Sequence, residues 1–215
     1  VAFEEIAAGR MSLSQSFVVS PETSREWFAK GTSMYLKPHQ TVEADALLHG
    51  IMTASANDAS MVLAEGYAGN VATWTLMMND AARRLGMTHS HYNTPNGWMD
   101  EGQTFVSARD LVRLADAMTM RYPKLYKHFA GQKTYKWGDV FMRSHDPTVG
   151  VIQGADGIKT GYTREAGYNF LGSAERNGRR LVMVVAGAPT HVDRNAAAKA
   201  LLEWGFQQWR AHPLF

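Results

Sequence analysis

Two short runs in this chain place hydroxyl, carboxamide and ammonium groups where they could meet a peptide. Ser55-Ala56-Asn57 offers a hydroxyl and a carboxamide two residues apart. Lys159-Thr160-Gly161 offers an ammonium beside a bare stretch of backbone. If the second run is a strand, alternation puts Lys159 and Gly161 on one face and Thr160 on the other. An extended peptide can pair with the edge of such a strand, its carboxylate near the lysine. Each run alone has a plainer reading. A Ser-x-Asn triplet arises by chance in about one of every two chains this long, and both residues suffice as helix caps. Lys-Thr-Gly is rarer by roughly tenfold and alone reads as a surface strand entering a turn. In this order in one chain, the pair is specific.

The elements that must position these runs can be read in outline. Residues 1–8 read as the end of a helix stopped by Gly9, and 16–19 as a short strand. Thr41 is placed to cap a helix over 42–52, and Asn57 or Asp58 to open the next, so Ser55-Ala56-Asn57 falls at a junction between helices. Asn70 opens a third helix, whose Trp74, Met77, Met78, Ala81 and Leu85 recur at helical spacing before Gly86. Residues 88–103 read as loop, and Ser107 to Asp110 as a capping-box-like start for a helix over 111–120. Pro123 starts a short helix and 133–137 alternates as a strand. Strands are expected over 157–163, 168–175 and 180–186, the last two joined by the hairpin turn Asn177-Gly178, with a final helix over 193–206. Helices in the middle and antiparallel strands at the end indicate an α+β class: an antiparallel β-sheet with a helical cluster.

Composition narrows the function. The chain has 215 residues, 45% hydrophobic and 20% charged, enough for one large core and too ordered in composition for a disordered segment. The absence of cysteine excludes a thiol nucleophile, a thiolate metal site and a disulfide scaffold. A net charge of +2, with basic residues scattered rather than striped, argues against nucleic acid as a partner. His89-Ser90-His91 has strand spacing but no accompanying carboxylate cluster or His-Glu-x-x-His helix, and His191 and His212 have no readable partners. No metal and no cofactor are expected, and the aromatics and methionines read as core.

With these residues in view, the chain resembles the low-molecular-mass penicillin-binding proteins that act as D-alanyl-D-alanine carboxypeptidases. The likeness extends from residues 31–38 and 55–59 through Met78-Asn79, 85–87 and 107–110 to 156–161, 166–168 and 204–206. It implies the β-lactamase/DD-peptidase-like fold and three motifs: Ser-x-x-Lys, Ser-x-Asn and Lys-Thr-Gly. By the resemblance, Ser55 and Asn57 form the second motif, with Ser55 relaying a proton. Lys159, Thr160 and Gly161 form the third, which binds the substrate's terminal carboxylate. Arg194 matches by position an arginine that helps hold that carboxylate; its plainer reading is a solvated helix arginine. Two departures are small: Ala56 stands where glycine is common, and Tyr162 where histidine often follows the third motif.

A third departure is larger. No serine in the chain is followed three residues later by lysine, so the motif that carries the nucleophile is absent. In the family it lies close upstream of the segment resembling residues 1–9. The expectation is a catalytic domain over 1–215, N-terminally incomplete and without a second β-domain, its membrane association depending on segments outside these residues. Losing such a nucleophile lowers turnover by about 10⁶-fold, so these residues alone are expected to be nearly inert. The resemblance implies an extracytoplasmic, periplasmic serine carboxypeptidase acting on peptidoglycan stem peptides that end in D-Ala-D-Ala, acylated by β-lactams. Its alternatives are a non-catalytic relative that binds wall peptides, and a DD-endopeptidase or β-lactamase of the same fold.

Overall fold

The computed structural model describes residues 1–209, and within them local side-chain chemistry accounts for most of the element boundaries. Helix α1 (Ala2–Ala7) stops before Gly9, whose φ is 72°. Ser20 accepts from the Thr23 amide at 3.0 Å and Pro21 opens α2 (Pro21–Trp27), a cap-plus-proline signal that the sequence reading passed over. Helix α4 (Asn57–Ala68) leads to α5 (Val71–Arg84), capped by Asn70 through the Thr73 amide at 2.7 Å. Ser107 caps α6 (Ala108–Asp116) through the Asp110 amide at 3.2 Å; this helix starts earlier than expected and passes into a π turn over Ala117–Arg121. Helix α7 (Pro123–Phe129) follows.

The helix expected over 42–52 is a correction. Residues Thr41–Glu43 form strand β2, antiparallel to β1 (Ser16–Val18), with Phe17 opposite Val42 and both buried. This tertiary pairing outweighs local helix preference. Helix α3 (Ala44–His49) then starts, and a π turn over Gly50–Ala54 carries the chain to Ser55. A Cβ at residue 50 would run into the Met34 thioether, so glycine is required there.

The α+β architecture is as expected. A hairpin of β3 (Thr134–Trp137) and β4 (Val140–Arg143) turns through Gly138-Asp139. The main sheet is antiparallel in the order β5 (Ala155–Thr163), β6 (Gly167–Arg176), β7 (Arg179–Ala188). Asn177 and Gly178, with φ of 51° and 73°, make the two-residue turn expected between the last two strands. Phe170 and Val185 pack with Ala198 of α8 (His191–Gln208), whereas Leu171, Val182 and Val184 join the larger core around Phe129, Leu47 and Val62. Both faces of the sheet are thus covered, one by α8 and one by the helical cluster. Helix α8 approaches β7 closely at Gly205, where a Cβ would lie 2.8 Å from Leu181 Cδ1 and that side chain would have to turn aside.

Candidate active site

Among the described residues strand β5 is an edge strand, paired with β6 on one side only. Lys159 stands opposite Leu171 and Thr160 opposite Phe170, residues that pack on different faces, so the alternation expected from sequence holds. Gly161 is exposed, and a Cβ built there meets nothing within 4 Å. The Lys159 ammonium donates to the carbonyl of Thr160 at 2.9 Å. Burial, with the Arg194 guanidinium adding repulsion and Asp146 opposing, pulls its pKa down to about 8.

Arg194 is 6% exposed, which corrects its plainer reading as a solvated helix arginine. Its Nη2 donates to Asn195 Oδ1 at 2.8 Å and lies 3.5 Å from the His145 carbonyl, with the guanidinium 6.0 Å from the Tyr168 ring. Tyr168 in turn stacks on the exposed Tyr162 at 4.2 Å. His145 and Asp146 complete the cluster, and the sequence reading missed both, because they lie in the irregular stretch between β4 and β5 with no motif around them. Desolvation first, then the charges of Lys159 and Arg194, hold the His145 imidazole below its ordinary pKa. Asp146 Oδ1 accepts from Thr148 and Val149, while its shielded Oδ2 has no partner among the described residues.

The second motif follows Ala54, which lines one cleft together with His145. Ser55 closes the π turn in the left-handed region at φ 64°, a conformation that costs an L-residue about 1 kcal/mol or more. The surrounding amides hold it: Ser55 N to Ile51 O at 3.0 Å, Ala56 N to Gly50 O at 3.1 Å and Asn57 N to Thr32 O at 2.8 Å. Ser55 and Asn57 are not the caps that their types allow; the cap of α4 is Ala56, without a side-chain bond. Instead Asn57 donates to the Lys30 carbonyl at 3.1 Å and accepts from Asn96 at 3.1 Å, tying two loops together. A cleft of about 430 Å³, lined by Thr32, Ser33, Tyr35, Ala54, Phe141 and His145 among others, reaches from the residue before Ser55 to His145. His89 and His91 are exposed, and His212 lies outside the described residues.

The chain is similar to a D-alanyl-D-alanine carboxypeptidase of Escherichia coli strain K12, 34% identical over 184 residues that cover 83% of this chain and 44% of that protein. It spans about half the length of the curated relatives it matches. Its fold superposes on penicillin-binding protein 5 of Haemophilus influenzae with a TM-score of 0.90 and 28% identity, over 96% of this chain and 60% of that one. Penicillin-binding protein D2 of Listeria monocytogenes, solved in an ampicillin-bound form, matches with a TM-score of 0.82 and 29% identity, over 95% of this chain and 83% of that one. A family model described as D-alanyl-D-alanine carboxypeptidase matches residues 1–190, and the chain belongs to that family.

Proposed function

We propose that this chain is the larger part of a serine D-alanyl-D-alanine carboxypeptidase domain that trims the terminal D-alanine from peptidoglycan stem peptides. One observation carries the reading: two cations, Lys159 and Arg194, are desolvated near each other at an open strand edge, beside His145, which lines one cleft together with Ala54, the residue before Ser55. Like charges drawn together out of water call for an anion, and the free carboxylate of a C-terminal D-alanine supplies one. The substrate backbone would run along β5, where Gly161 leaves the edge bare.

In this reading the nucleophilic serine and its lysine come from a Ser-x-x-Lys segment outside the 215 residues. The serine oxygen attacks the carbonyl between the two D-alanines, and its proton passes by way of Ser55 to the departing amine. The C–N bond breaks, D-alanine leaves, and water hydrolyses the acyl-enzyme ester. A β-lactam would acylate the same serine, in keeping with the ampicillin-bound relative. The substrate places the enzyme outside the cytoplasm, in the periplasm of a cell that has one. Among the described residues no helix is long and apolar enough to cross a membrane.

The test is intact mass spectrometry of the full-length protein before and after benzylpenicillin, with D-alanine release from a D-Ala-D-Ala peptide measured alongside. A single penicillin-sized adduct and free D-alanine are expected. Peptide binding with neither adduct nor release would replace this reading with that of a wall-peptide-binding relative.

A further inference from the structure

We propose that Asp45, His49 and His128 form a binding site for a zinc-class divalent transition-metal ion. None of the three bonds to Lys159 or Arg194 or acts on their charges, so the site does not rest on the catalytic reading. Asp45 and His49 are one turn apart on α3 and share a face; His128 projects from α7 beside them. His128 Nε2 lies 2.7 Å from Asp45 Oδ1, and His49 Nε2 lies 3.8 Å from Asp45 Oδ2. One donor atom from each residue falls within 4.8 Å of the other two. Around a tetrahedral ion with bonds near 2.1 Å, ligand atoms stand about 3.4 Å apart. Shifts of an ångström or so in three side chains therefore suffice to coordinate.

An ordinary Asp–His ion pair accounts for one imidazole and not for the second. His49 is aimed at the same carboxylate and is fixed by packing, stacked on Tyr135 at 5.0 Å and against Phe129 at 4.8 Å. Two imidazoles and one carboxylate suit zinc, cobalt or nickel rather than magnesium or calcium, which prefer all-oxygen sets. The His128 side chain is 47% exposed, so water can take the fourth position. His49 Nδ1 has no partner among the described residues, and an outer acceptor of that kind typically strengthens a site 10- to 100-fold. Micromolar affinity is expected rather than the tighter binding of a structural zinc site. His49 directly precedes the π turn that ends at Ser55, so an ion here would tie α3 to α7 at the base of that turn.

Zinc chloride titrated into untagged, chelator-treated full-length protein is the experiment, followed by calorimetry and thermal unfolding. The parent should bind one ion in the micromolar range and melt at a higher temperature. His128→Ala, a substitution at an exposed side chain, and Asp45→Asn should each lose at least tenfold in affinity and most of the Tm rise. Absence of binding by the parent, affinity in both variants equal to the parent's, or an equal response to magnesium chloride would overturn the proposal.

Discussion

Asp58 and Asp146 each sit beside a chemical motif with a carboxylate oxygen shielded from water, and their surroundings treat them in opposite ways. Asp58, 1% exposed, accepts from the amides of Met34, Leu36 and Ala59 and from the Ser33 hydroxyl. It pins the 33–36 loop against α4 and is fully used by the fold. Asp146 leaves one shielded oxygen unpaired, and its charge acts on two cations, Lys159 and Arg194, that make no direct ion pair with a carboxylate among the described residues. A buried polar group that is satisfied holds structure; one left short marks a place where a ligand completes the set.

The largest test of that contrast is Asp58→Asn. An amide NH₂ turned toward donors strands several buried groups, and a loss of about 3 kcal/mol is expected in urea unfolding, with penicillin acylation per folded molecule preserved. A stability change under about 1 kcal/mol would break the comparison on that side. Next in size is Lys159→Ala in the full-length enzyme. On the role proposed for Lys159, removing its charge-assisted bond to the substrate carboxylate should slow penicillin acylation about 10- to 100-fold, with stability unchanged or improved because a desolvated ammonium is gone. Equal acylation rates in variant and parent would remove Lys159 from the binding role.

The smallest effect is in pH. Because the folded Lys159 titrates at about 8, its positive charge is present below that pH and is lost as pH rises through it. Acylation by the parent should therefore fall along a basic limb near pH 8, approaching tenfold per unit, and the limb should vanish in Lys159→Ala. A flat profile from pH 7 to 10 in the parent would contradict the desolvated lysine.

The sequence fell short at particular residues, each for a physical reason. Thr41 to Glu43 looked like a helix start because nothing nearby records that Val42 must face Phe17 across a strand pair. The π turn before Ser55 depends on Gly50 fitting against Met34. Helix α2 was legible in principle from Ser20-Pro21, a local signal that went unused. Asp45, His49 and His128 were invisible as a group, since the third member comes from a separate helix.

By itself the sequence determined what depends on short-range chemistry: the caps of α5 and α6, the Asn177-Gly178 hairpin, the alternation along β5 and the two motif runs that point to the family. Those features follow from side chains meeting backbone within a few residues. Tertiary structure alone decided that Arg194 is buried, that His145 and Asp146 join it, and that Ala54, just before Ser55, lines one cleft with His145. Burial and charge coupling belong to residues brought together from distant parts of the chain, and they exist only once the sheet has closed against its helices.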